Sequence, residues 1–187
     1  MNLPNKLTVL RICLVPFFVF FMLAEFVPYR YFIALVIFGA ASYTDHLDGK
    51  IARRDNLITN FGKLMDPLAD KIMVMAALIC FVRLGVASTV CVILIMFREF
   101  AVTSIRLLAV EQGRVIAANN WGKLKTVSQI VAIIVILLLQ GVAALPGCAF
   151  LLPAFTVTGH VFVGICTFFT LVSGIIYARD NKGVLKE

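Results

Sequence analysis

Six apolar stretches divide the 187-residue chain: about Leu7 to Phe26, Tyr31 to Leu47, Leu68 to Leu84, Ser88 to Val110, Val127 to Leu145 and Leu151 to Tyr177. Each is close to the ~20 residues an α-helix needs to cross ~30 Å of hydrocarbon. Within lipid a helix satisfies its own backbone donors and acceptors, which an isolated strand cannot do. The pattern predicts an all-α integral membrane protein with six transmembrane helices, built as a single domain over residues 1–187. Composition points the same way: 61% of the residues are hydrophobic and 14% are charged, where a soluble domain carries about 25% charged residues. So short a chain cannot hide that much apolar surface from water. A soluble globular fold and a disordered chain are both excluded.

Turn chemistry separates the stretches at Val27-Pro28, Leu84-Gly85, Gln140-Gly141 and Pro146-Gly147, while Pro16 falls inside the first. No internal repeat is evident, which argues against an inverted-repeat transporter. The opening Met1-Asn2-Leu3-Pro4-Asn5-Lys6 runs into the first stretch with no small-residue cleavage site, so a retained span is expected rather than a cleaved signal. Of the 17 Lys and Arg, only Arg30 and Arg83 fall in the odd-numbered loops. Basic residues stay in the cytoplasm, so both termini and the even loops are expected there. The net charge of +7 therefore reads as topology and lipid head-group contact; no nucleic-acid partner is expected. The five cysteines show no paired spacing and read as small buried hydrophobes.

Only ten residues are acidic, and Asp45, Asp48, Asp66 and Asp70 fall close together in TDHLDGKIARRDNLITNFGKLMDPLADK. Spacings of three and four put each pair on one helical face. Two antiparallel helices joined by a short loop can then aim four carboxylates into one space. So much negative charge beside lipid needs compensation. An all-oxygen donor set suits Mg²⁺ or Mn²⁺, and two ions can share the carboxylates. Structural alternatives stand beside this: Asp66-Pro67 has the form of a helix N-cap followed by proline, and Asp45 or Asp48 can pair with Arg53 or Arg54 at the membrane surface. Between the pairs, Gly49, Ala52 and Gly62 permit close approach of a phosphorylated ligand, Arg53 offers a guanidinium fork and Thr59 a hydroxyl. Their alternative role is close helix packing, with the arginine marking the interface. His46 is not expected to be a ligand, and His160 and Trp121 read as interface or packing residues.

The pattern Asp45-x2-Asp48-Gly49-x2-Ala52-Arg53-x8-Gly62-x3-Asp66-x3-Asp70 resembles the signature of the CDP-alcohol phosphatidyltransferase family at every position. The similarity extends through NLPNKLTVLRI, FREFAVTSIRLL and WGKLKT. It is strongest to family members that join CDP-diacylglycerol to glycerol 3-phosphate. The resemblance implies that Asp45, Asp48, Asp66 and Asp70 hold the metals and that Asp70 is the general base. It also implies that Gly49, Ala52, Arg53, Thr59 and Gly62 line the CDP-diacylglycerol site. Asn5, Thr8 and Arg11 share a helical face that suits the nucleotide or, alternatively, an interfacial anchor. A homodimer is implied by resemblance alone, whereas the distribution of basic residues is what leads the site to be expected on the cytoplasmic side of the cell's inner membrane.

Arg98, Glu99 and Arg106 interrupt the fourth stretch, and an arginine that deep needs an aqueous pocket or a partner. One account makes Glu99 that partner. The preferred one has Arg98, Arg106, Lys123 and Lys125 bind the acceptor's phosphate, favouring a phosphorylated alcohol over serine or a neutral polyol. Two competing functions remain open at this level. One is the same chemistry on inositol phosphate, serine or phosphatidylglycerol. The other is a divalent-cation transporter, against which the aspartates cluster at one face instead of lining a route across.

Overall fold

The computed structural model of the protein describes the backbone over residues 3–54, 60–112 and 120–184, and the side chains of these except at 3–4, 45–54, 60–64, 66, 67, 70 and 184. Six long helices follow the six apolar stretches: α1 (Leu3–Leu23), α2 (Arg30–Arg54), α3 (Asn60–Arg83), α4 (Thr89–Glu111), α5 (Asn120–Ala143) and α6 (Leu152–Asp180). No strand occurs among the described residues.

Helix ends follow local chemistry. After α3, the Val86 amide donates to the Phe81 carbonyl and the Gly85 amide to that of Val82, with Gly85 at φ +72°. That is the Schellman arrangement, in which glycine takes the left-handed position without a Cβ penalty. Beyond α5, Pro146 and Gly147 form the corner of a turn closed by the Cys148 amide on the Leu145 carbonyl, Gly147 taking φ +82°. Pro153 sits in the first turn of α6, where its missing N–H costs nothing. At Val27-Pro28 the chain turns with Tyr29 at φ 57°. The expected break at Gln140-Gly141 is absent: α5 runs through Gly141, against which the Phe32 ring packs. Pro16 likewise lies within α1.

The helices alternate in direction. Arg11 shares a cavity with Ser42 while the Phe18 and Phe38 rings lie 6.2 Å apart, so α1 and α2 are antiparallel. Val86 meets Gly159 and Arg98 meets Ser173, so α4 and α6 run parallel. The start of α1 and the end of α6 thus lie at the same end of the bundle. Phe18, Phe38, Phe81, Ile95, Ile133 and Leu137 form the buried centre. Among the described residues, three helical segments are long and apolar enough to cross a membrane: Asn5–Leu23, Asn120–Ala143 and Ala149–Asp180. The apolar part of α2, Arg30–Thr44, is shorter. Charged residues recur in α3 as far as Lys71 (Lys63, Asp66, Asp70 and Lys71), and Arg98, Glu99 and Arg106 interrupt α4. Of the cysteines only Cys80 and Cys166 are buried, whereas Cys13 is exposed.

Candidate functional site

Each aspartate pair lies on an unbroken helix. Asp45 and Asp48 fall in the second half of α2, together with Gly49, Ala52 and Arg53. Asp66 and Asp70 fall in the first half of α3, with Gly62. The three- and four-residue spacings therefore place each pair on one helical face. The side chains of these residues, and Thr59 altogether, lie outside the described residues. As a donor set the four carboxylates fit a hard divalent cation, since they supply only oxygen.

Beside these segments lies a described cavity of about 70 Å³. Arg11 from α1, Ser42 from α2, Lys71 from α3, Glu99 from α4, and Lys125 and Gln129 from α5 line it, with Phe38, Met73 and Ile130 on its apolar walls. Ser42 precedes Asp45 by less than one turn and Lys71 directly follows Asp70. Volume on this scale holds several waters or one oxoanion.

Glu99 organises the charges around it. Its Oε1 accepts from Arg98 Nη1 at 3.1 Å and is ion-paired with Lys125 Nζ. Arg98 Nη2 donates to Ser173 Oγ at 2.7 Å, joining α4 to α6. The approach is possible because residue 174 is glycine: a Cβ there would lie 2.8 Å from Arg98 Cγ. Lys71 Nζ donates to Thr103 Oγ1 and, at 3.4 Å, to the Glu99 carbonyl, while Thr103 Oγ1 donates to that same carbonyl at 2.7 Å. Charges this deep are held by partners on other helices, as the low-dielectric interior requires.

Asn5, Thr8 and Arg11 all point into the bundle and are buried. Of the four basic residues read from sequence, Arg98 and Lys125 are buried and meet at Glu99. Arg106 and Lys123 lie on exposed faces of α4 and α5, apart from that network. Sequence reasoning missed Lys71, Gln129 and Ser173. Each had a signal: Lys71 adjoins Asp70, Gln129 follows Lys125 by one turn, and Ser173 is polar within an apolar stretch.

A model of the CDP-alcohol phosphatidyltransferase family matches residues 1–176. Three bacterial relatives carry the name CDP-diacylglycerol–glycerol-3-phosphate 3-phosphatidyltransferase. That of Bacillus subtilis is 43% identical over 196 residues, covering 99% of this chain and 97% of the relative. That of Pseudomonas fluorescens is 36% identical over 96% of this chain and 89% of its own length. The Haemophilus influenzae protein is 40% identical over 71% of this chain and 73% of its own.

Proposed function

The chain belongs to the CDP-alcohol phosphatidyltransferase family, and on that premise we propose that it moves the phosphatidyl group of CDP-diacylglycerol onto glycerol 3-phosphate, giving phosphatidylglycerophosphate and CMP. The observation that carries this reading is the basic cavity within a turn of both aspartate-bearing segments. The names of the relatives support the choice of substrates.

Asp45, Asp48, Asp66 and Asp70 hold Mg²⁺ or Mn²⁺, as two ions. When bound, the cations neutralise phosphate charge in an in-line displacement. Gly49, Ala52, Arg53, Thr59 and Gly62, with Asn5 and Thr8 from α1, bind the cytidine diphosphate moiety. Lys125 at the cavity and Arg98 beside it at Glu99 hold the acceptor's phosphate, with Arg106 and Lys123 on the exposed faces of α4 and α5 adding positive charge to its approach. A carboxylate oxygen of Asp70 takes the proton of the acceptor hydroxyl as the hydroxyl oxygen attacks the phosphorus bearing diacylglycerol. The bond from this phosphorus to the bridging oxygen breaks, and CMP leaves with the electron pair. Arg53 steadies the charge gathering on the departing group. Placing this chemistry at the bilayer edge suits a donor with a soluble head and two acyl tails. The six helices span the cytoplasmic membrane as one domain, with both termini and the site on the inner side, and the protein works as a homodimer.

The test is CMP release by purified protein in detergent, given CDP-diacylglycerol, Mg²⁺ or Mn²⁺, and one alcohol at a time. Release is expected with glycerol 3-phosphate and is lost on chelation. Release with inositol phosphate, serine or phosphatidylglycerol in its place would overturn the acceptor. No release with any alcohol would overturn the enzyme reading.

A further inference from the structure

Glu99 Oε1 takes both of the cations that face this carboxylate, Arg98 Nη1 at 3.1 Å and Lys125 Nζ. The other oxygen, Oε2, makes no hydrogen bond among the described residues. Nor is it sealed in: the Glu99 side chain keeps 7% of its surface where it lines the cavity. Oε2 is thus an unused acceptor within reach of whatever fills that space. An ionised carboxylate only accepts, and held away from bulk water it gains from any donor that enters.

Two kinds of donor fit such an oxygen, a cation or a hydroxyl. Oε1 already carries a guanidinium and an ammonium, which repel a third positive charge so close by. A neutral O–H meets no such repulsion, and the walls of Phe38, Met73 and Ile130 suit the carbon skeleton that bears it. Lys71 Nζ donates to the Glu99 main-chain carbonyl at 3.4 Å, so α3 just beyond Asp70 lies against α4 at Glu99. An alcohol that delivers one hydroxyl to Asp70 brings its neighbouring hydroxyl toward Glu99. We propose that Glu99 is a specificity residue for the alcohol substrate, its Oε2 accepting a hydrogen bond from the hydroxyl next to the one that attacks. This rests on the transferase reading above and adds to it the class of alcohol selected, one with two adjacent hydroxyls.

The test compares glycerol 3-phosphate with 3-hydroxypropyl phosphate, which lacks only the middle hydroxyl, in the purified wild-type protein and in Glu99→Gln. Glutamine leaves its carbonyl oxygen to Arg98 and Lys125 and turns an uncharged amide toward the cavity. CMP release is measured below the unfolding midpoint of each protein. The wild-type protein is expected to prefer glycerol 3-phosphate about 100-fold in kcat/KM, the scale of a hydrogen bond to a charged group, and Glu99→Gln about tenfold or less. Lost packing alone slows both alcohols alike and leaves the preference at its wild-type value. That result, or a wild-type protein indifferent to the missing hydroxyl, would overturn the proposal. Should Glu99→Gln not fold, Glu99→Asp keeps a charge for both cations but draws the oxygen back by one carbon. Its preference is expected to fall in the same way, and an undiminished preference overturns the proposal. If inositol phosphate is the alcohol turned over, the comparison passes to its analogue lacking the neighbouring hydroxyl, with the same expectations. Release only with serine, which has no second hydroxyl, overturns both the acceptor and this proposal. Should no alcohol release CMP, the transferase reading falls by itself. Greater thermal protection of the wild-type protein by glycerol 3-phosphate than by 3-hydroxypropyl phosphate, lost in Glu99→Asp, then upholds the hydroxyl site, and equal or no protection overturns it.

Discussion

Glu99 is shared by two cations, the guanidinium of its neighbour Arg98 and the ammonium of Lys125 across the α4–α5 contact. Removing one partner of a buried ion pair costs about 3–5 kcal/mol, because the other charge is left uncompensated. Glu99→Gln is thus expected to lower the unfolding midpoint sharply. Combined with Lys125→Met, the loss should be smaller than the sum of the single losses, which a double-mutant cycle of thermal denaturation measures. Strictly additive losses would deny the pair. Under the proposed mechanism, Asp70→Asn reduces turnover by about 10²–10⁴ as a general base is removed, while Mn²⁺ binding by paramagnetic resonance remains detectable. Retained turnover would clear Asp70 of that role. The aspartates were legible because a spacing of three or four survives in the sequence. Lys71 and Gln129 were not, because their meeting depends on which helices are neighbours, and one helix's periodicity carries no record of that.

Each helix was visible as an apolar stretch, but α2 and α3 continue past their greasy parts, from Leu47 to Arg54 and back from Leu68 to Asn60. Hydropathy ends where lipid contact ends, whereas the helix continues because its backbone bonds do not depend on the medium. Those extensions carry Asp48 and Asp66, and Asp45 and Asp70 lie within a turn of where they begin. Gly85 and Pro146-Gly147 stopped their helices as turn chemistry foretold, while Gly141 did not, because the packed Phe32 ring makes use of its missing side chain. A similar approach joins α6 to the α3–α4 turn: a Cβ on residue 159 would lie 2.8 Å from the Val86 carbonyl oxygen. That oxygen is backbone and cannot swing aside, so Gly159→Ala is expected to cost about 1–3 kcal/mol as an overpacked site. Gly164→Ala, on the same helix with nothing within 4 Å of the new Cβ, should leave the unfolding midpoint unchanged. Equal midpoints for the two variants would refute the close packing.

For the whole molecule, alternating helix directions put the start of α1 and the end of α6 at one end of the bundle, and the proposed topology sets that end in the cytoplasm. In right-side-out spheroplasts with the other four cysteines replaced by serine, Cys148, in the turn after α5, should react with an impermeant maleimide. With Cys148 also replaced, Asn181→Cys beyond α6 should react only after permeabilisation; the opposite pattern would invert the proposed orientation. The charged belt has a further consequence for how the protein is made. On the proposed six-span topology, Arg98 and Glu99 would enter the bilayer with α4, before the chain has supplied Lys125 on α5 or Ser173 on α6. A chain that stops after α4 must carry its charges in lipid without those partners, at a cost the finished bundle avoids. On that topology α4 depends on α5 and α6 for the partners of its charges, so its buried polar contacts are complete only once all three helices are in place.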